Sequence, residues 1–480
     1  MNIFLIVFDT LRKDHCGKTY GNHWIKTPNI DEFAADSIVF EKAYPESLPT
    51  IPARRALHTG LRTFPFNHKK PELRTDDYVE APGWNPIPPH QTHMAEYLNG
   101  KGYTTCFVTS TYHQFKPNMN FHLGFDEWHY VRGHESDKVS ARMLGTRGEI
   151  RKKIDQYVLK ETKENKLVVR SQRLILKKYL ANRQLITNEA EFIPVRTFNK
   201  SIEIVKKLKK LKNLFLLIDE FDPHEPWDPP DRFLDLYIDK NYMGNKIIFP
   251  LYGKSVPYYD KGELNCMKAC YAAEVSFCDY WFGKFLENLK ELEIYNDSLI
   301  ILTSDHGHGL GEHKAIGKVP SHLYPELVDI PLIIKPPFDF RGPKRVKMSY
   351  VYIHDILPTI FGYLGAEIPK IFEGSDLSVF TDKPDDQINN RNYSTNGMGL
   401  WTLYKDDDFA MITSNDQQNQ KLFDLSKDPE WNVNIANTNK EKCDELFKKI
   451  EFDAHRDLLL KFTSSRFENY EEWYQNTYLT

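Results

Sequence analysis

Short apolar runs recur at residues 3–8, 104–109, 214–218, 299–303 and 332–334, and each gives way to a longer segment with helical periodicity. Strands alternating with amphipathic helices build right-handed crossover units, which in series make a mostly parallel sheet covered on both faces. The fold class is therefore α/β. Sheets of this kind place ligands at the carboxyl ends of their strands. Asp9 closes the first run, Asp219 lies just past the third, and Ser304-Asp305-His306 closes the fourth. Acids at the mouths of buried strands have no packing role, so these ends mark a site.

The 480 residues exceed one small core and suit a large domain over 1–385 with a smaller one over 386–480. With 41% hydrophobic and 27% charged residues the chain reads as globular, and a net charge of −4 offers no basic field for nucleic acid. Six cysteines in so long a chain do not form a disulfide framework. Cys266 and Cys270, one helical turn apart with no second pair at metal spacing, read as reduced packing thiols. The first apolar run stops at Asp9, too soon for a signal peptide or a membrane span, and no later run is long enough to cross a membrane. The expected location is cytoplasmic, and homo-oligomerisation is left open.

Residues 136–212 are rich in Lys and Arg, poor in Gly and Pro, and helically periodic around 168–180. They read as a helical basic insertion over the active-site face, its charge solvated rather than a dock for anions. After residue 390 the pattern shortens, with strand-like runs at 400–404 and 409–413 and a terminal helix near 440–462. This is a small α+β C-terminal subdomain.

Three segments carry chemistry, with His224 and Lys318 as two further residues; the first segment is Asp9-Thr10-Leu11-Arg12, whose carboxylate either caps the following loop or binds a metal. Thr50-Ile51-Pro52-Ala53-Arg54 suits a helix start, where Thr50 serves either as a plain N-cap or as a hydroxyl beside a tetrahedral oxyanion held by free N–H groups. Arg54, one turn on, has a guanidinium able to fork two bonds to that anion. Asp305-His306, on a glycine-rich turn, offers an oxygen and a nitrogen ligand to a divalent cation, with His308 and His313 in supporting or structural roles. His224, on a Pro-stiffened loop, is placed to protonate a leaving alkoxide, and Lys318 to neutralise a non-bridging oxygen.

These segments, in this order, resemble the sulfatase family of the alkaline phosphatase superfamily. The likeness runs from Asp9-Thr10-Leu11-Arg12 through Thr50–Gly60, Pro223-His224 and Ser304-Asp305-His306-Gly307 to His354-Asp355 and Leu422-Phe423-Asp424. It covers nearly the whole chain apart from the basic insertion. The resemblance implies a sandwich around a mostly parallel sheet and one divalent metal ion (Mn, Ca, Zn or Mg). It also implies hydrolysis of a small anionic sulfate or phosphate ester. It assigns Asp9, Asp305 and His306 as metal ligands with Thr50 completing the shell. Thr50 stands at the nucleophile position, and Arg54, His224 and Lys318 contact the anion or leaving group.

The departures narrow this reading. The family's nucleophile is a Cys or Ser converted to formylglycine. Thr50 cannot become that aldehyde, because its β-carbon bears a methyl group. Related phosphodiesterases and phosphotransferases use Thr to form a phospho-enzyme. Thr10 replaces the second Asp of many sulfatases. Thr111, Tyr112 and His113 stand where a Lys and a His usually anchor the substrate, and they offer less charge. The preferred expectation is a phosphodiester or phosphonate ester hydrolase. The alternatives are a sulfatase with unmodified Thr50, and a catalytically silent binder of sulfated or phosphorylated ligands.

Overall fold

The computed structural model describes residues 1–66, 82–116, 119–135, 137–140, 142–163, 165–255, 258–342, 344–385 and 391–460. Its centre is an eight-stranded sheet. In chain order the strands are β1 (Asn2–Phe8), β2 (Ile38–Phe40), β3 (Thr104–Thr109), β4 (Glu127–Tyr130), β5 (Leu214–Glu220), β6 (Ser298–Ser304), β7 (Leu332–Lys335) and β8 (Lys344–Val346). Their order across the sheet is β8-β2-β7-β6-β1-β5-β3-β4. All five runs expected as strands form strands, and β1 lies parallel between β5 and β6. Only β7 runs against its neighbours β6 and β2. The chain leaves β6 and returns from the same end of the sheet without a covering helix, a connection that permits only an antiparallel partner.

The helices that matter here are α1 (Thr50–Thr59), α2 (Lys166–Arg183), α3 (Ile193–Leu208), α4 (Lys261–Glu291), α5 (Ile356–Tyr363) and α6 (Lys440–Asp453). Strand β1 shows why both faces must be covered. Phe4, Ile6 and Phe8 pack into one apolar layer with α3 and α4, and Ile3, Leu5 and Val7 into another with α1 and α5. Alternate side chains of one buried strand thus anchor two cores. The 31-residue α4 starts from a capping box: Asp260 accepts from Glu263 N at 2.8 Å, and the Glu263 carboxylate accepts from Asp260 N at 3.0 Å.

Within the basic stretch 136–212, residues 147–155, 166–183 and 193–208 are helical with turns and coil between them; residues 136, 141 and 164 lie outside the described residues. Its last helix, α3, does not loop away from the body. Ile193, Val195, Phe198, Ile204 and Val205 are buried and face the sheet, while Lys206 and Lys207 point outward. The C-terminal part holds a four-stranded antiparallel sheet, β9 (Ser394–Met398), β10 (Trp401–Lys405), β11 (Phe409–Ser414) and β12 (Gln420–Asp424). One face packs on α6 and the other on Tyr44, Tyr324 and Tyr350 of the main body. The terminal helix stops at Asp453, short of the expected 462; residues 461–480 lie outside the described residues.

Candidate active site

The register of the central strands assembles the site. Phe8 is level with Glu220 on one side and Ser304 on the other, so the next residues, Asp9 and Asp305, stand side by side. Thr10 then turns sharply, with φ of 59°. This is a rare conformation for a β-branched residue. Its N–H donates to Asp305 Oδ1 at 3.0 Å, and its carbonyl accepts from the Tyr271 hydroxyl at 2.7 Å. Gly307 lets the Asp305-His306 turn tuck beneath the neighbouring loop: a Cβ there would sit 2.1 Å from the Glu326 carbonyl oxygen.

Asp9, Asp305 and His306 are fully buried, and each offers one ligand atom within 4.8 Å of the other two. His306 Nδ1 lies 2.8 Å from the Gly307 carbonyl. Donating its proton there leaves the Nε2 lone pair free, the tautomer a metal ligand needs. Among the described residues neither oxygen of Asp9 takes a hydrogen bond, and its one close cation is the Arg54 guanidinium, 3.0 Å from Oδ2 as an ion pair. Two carboxylates and a neutral imidazole, dry and aimed at one point, fit a divalent cation. Burial, followed by the charge of Asp305, pushes the Asp9 carboxyl well above its ordinary value. Burial would raise Asp305 too, but His306, Arg54, the Thr10 N–H and Lys318 hold it below its ordinary value. Burial takes His306 down to about 4.

Thr50 is the first residue of α1, and the N-cap position belongs to Pro49. The hydroxyl is therefore not spent on capping. Among the described residues it contacts His306 Nε2, at 3.4 Å. Arg54 lies one turn on and is completely buried. The fork expected to hold the substrate anion is taken by another group: Nε donates to Asp219 Oδ2 at 2.8 Å and Nη2 to Asp219 Oδ1 at 2.7 Å. Its Nη1 faces the carboxylates, 3.0 Å from Asp9 and in contact with Asp305, and donates to the Thr50 carbonyl at 3.3 Å. Burial disfavours the Arg54 charge, but Asp219, Asp305 and Asp9 more than restore it.

On the far side, Lys318 Nζ meets His224 Nε2 at 2.9 Å, and His224 Nδ1 lies 2.7 Å from the Glu225 carbonyl. Phe221 stacks on His224 with ring centres 4.3 Å apart and fixes its plane. The buried Glu225 carboxylate takes the Tyr252 hydroxyl and lies 3.9 Å from Lys318 and 3.5 Å from His308. His308 is packed edge-on to Trp227, and His313 lies flat on Tyr324 with its ring nitrogens on Glu326 and the Glu430 carbonyl.

Thr111, Tyr112 and His113 are buried just beyond β3. Thr111 donates to Asp219 Oδ1 at 3.1 Å, Tyr112 OH donates to Glu135 at 2.8 Å, and His113 Nε2 lies 3.8 Å from Glu135. Sequence reasoning named these three without their carboxylate partners. It placed Asp219 at a strand end but did not give it to Arg54, and it missed Gln114, whose amide also donates to Asp219.

A parallel-sheet strand end, a helix-tip hydroxyl and a three-ligand cation cradle define the ester hydrolases of the alkaline phosphatase type. The family profile described as Sulfatase matches residues 1–366, and the chain belongs to that family. An arylsulfatase of Clostridium perfringens is 26% identical over 498 residues, covering 98% of this chain and 96% of its own. The multifunctional alkaline phosphatase superfamily protein PehA of Trinickia caryophylli is 25% identical over 421 residues, covering 80% and 78%. The fold matches the phosphonate monoester hydrolase of Silicibacter pomeroyi with a TM-score of 0.67 at 18% identity, over 95% of each chain. The protein is a sulfatase-like ester hydrolase. No helix among the described residues is long and apolar enough to cross a membrane.

Proposed function

We propose that the protein hydrolyses phosphate esters, diesters or phosphonates ahead of sulfates, with Thr50 as the nucleophile. The observation that carries this reading is the free Thr50 hydroxyl at the tip of α1, 3.4 Å from His306 Nε2 and beside two buried carboxylates. Asp9, Asp305 and His306, with Thr50, would hold the divalent cation; when bound, it would supply Lewis acidity that lowers the hydroxyl pKa and offsets charge on the ester. Thr50 Oγ1 gives its proton to solvent and attacks phosphorus in line. The bond from phosphorus to the leaving oxygen breaks, and that oxygen takes a proton from the Lys318–His224 pair, which solvent replenishes. Water then attacks the phosphothreonine: a bond from its oxygen to phosphorus forms, the bond from phosphorus to Oγ1 breaks, and one proton of that water ends on Oγ1, so that the Thr50 hydroxyl is restored. A threonine cannot collapse as a hydrated aldehyde does, which is why phosphorus is preferred to sulfur. Pro52 has no N–H and that of Ala53 is bonded to the Pro49 carbonyl, so the N–H groups of Thr50 and Ile51 are the ones at the α1 tip to cradle the anion, and a diester's single charge suits a substrate side lined by Thr111, Tyr112 and His113.

A sulfatase acting through unmodified Thr50 is the second reading, supported by the full-length likeness to an arylsulfatase. Assays with Mn²⁺ separate the two: bis-p-nitrophenyl phosphate should be cleaved faster than p-nitrophenyl sulfate, and the reverse order overturns the first reading. All six cysteines are free and buried, which supports a cytoplasmic location.

A further inference from the structure

Arg54 has five N–H bonds, and the protein takes up the guanidinium on every side. Nε and Nη2 are held by Asp219 at 2.8 and 2.7 Å, Nη2 also reaches Thr111 Oγ1 at 3.4 Å, and Nη1 serves Asp9, Asp305 and the Thr50 carbonyl. A planar fork gripped bidentately cannot rotate without breaking both bonds. Asp219 is itself gripped: Thr111 Oγ1 donates to it at 3.1 Å, Gln114 donates to it, and it sits at the end of β5 with no exposed surface. The two residues stand 165 positions apart in sequence.

We propose that Asp219, braced by Thr111 and Gln114, is a positioning residue. By consuming the fork of Arg54, it limits the guanidinium to one edge, Nη1, on the metal-binding carboxylates. The inference rests on the proposed function only in taking Asp9, Asp305 and His306 as ligands of the divalent cation. An Arg54 released from Asp219 would swing its fork onto Asp9 or Asp305 and compete with the cation for the same oxygens.

Mn²⁺ binding to the full chain, read by calorimetry without any turnover, tests this. Asp219→Asn should weaken Mn²⁺ binding about 10- to 100-fold in the otherwise native protein, the usual cost of disturbing a group that orients metal ligands. The same substitution made on top of Arg54→Gln should change it hardly at all, because no free fork remains to compete. Unaltered affinity in the native background, or an equal loss in both backgrounds, overturns the proposal; an equal loss would mean that Asp219 acts on the ligands without Arg54. Gln114→Ala removes only one brace. If Asp219→Asn does not fold, the same paired comparison with Gln114→Ala decides the matter, with a smaller loss expected. Failure of the Thr50 chemistry would leave these binding results untouched.

Discussion

Lys318 Nζ lies 2.9 Å from His224 Nε2 while the opposite ring nitrogen, Nδ1, lies 2.7 Å from the Glu225 carbonyl. A carbonyl can only accept, so Nδ1 carries the ring proton and Nε2 accepts from the ammonium. Burial and the charge of Lys318 hold His224 well below its usual pKa, which agrees with a neutral ring. On the proposed mechanism, the proton destined for the leaving group therefore resides on Lys318, and His224 aims it. Lys318→Ala and His224→Ala should each lower kcat/KM about 10²- to 10⁴-fold on alkyl esters, which need an acid. On p-nitrophenyl esters, whose leaving group departs unaided, the loss should be far smaller. Rates across a series of leaving groups check this; equal losses along the series would make the pair an electrostatic clamp instead.

Thr50 has no capping duty, so its removal should cost chemistry rather than folding. Thr50→Ala is expected to lower turnover by at least about 10²-fold with an unaltered melting temperature, and Thr50→Ser to retain a sizeable share. Mass spectrometry of acid-quenched enzyme during turnover should find phosphate on Thr50 in the native protein and none in Thr50→Ala. An unimpaired Thr50→Ala enzyme would transfer the attack to water.

Asp9 and Asp305, side by side in the dry interior, repel one another, and a cation relieves this. Exhaustive chelation should abolish hydrolysis and lower the melting temperature, and Mn²⁺ should restore both. A cation present at a hundred times its dissociation constant adds about 2.7 kcal/mol to the native state. His306→Ala should remove the metal-dependent rise in melting temperature. Persistence of that rise would place the cation elsewhere.

The site was legible in the sequence where one residue at a strand end sufficed. Asp9 directly follows an apolar run and Asp305-His306 closes a mostly apolar strand, so their place at the carboxyl ends of a parallel sheet, where the structure groups them, was readable in advance. The direction of β7 was not legible, because an apolar run of four residues looks the same in either orientation. Lysine-rich composition disguised α3, whose buried stripe of Ile193, Phe198, Ile204 and Val205 belongs to the core. The guanidinium fork of Arg54 was misdirected toward the substrate for a related reason. Its partner Asp219 is supplied by another strand, and no local pattern announces a buried ion pair across 165 residues.

His354 belongs to a segment that the family likeness singled out, and its surroundings make it structural. Asp355 beside it accepts from Tyr352 N and Ser375 N, both at 2.7 Å, and from Arg391. His354 is buried against Tyr352, and its Nδ1 has no hydrogen-bond partner. Burial, with a smaller push from Arg391 that opposes Asp355, lowers its pKa to about 3. Between the ordinary histidine value near 6.5 and about 3, the unfolded chain binds a proton that the native protein refuses. Stability is therefore fully present above pH 6.5 and falls as pH drops through that window. At ~1.4 kcal/mol per pKa unit, His354 alone accounts for a loss on the order of several kcal/mol. His306 and His93, each lowered to about 4, act in the same direction. Urea unfolding at pH 7, 6 and 5 should show the midpoint falling, and His354→Asn should flatten that slope while lowering stability at pH 7. If the native protein and His354→Asn lose stability in parallel, His354 is protonated in the fold and this assignment of its role fails.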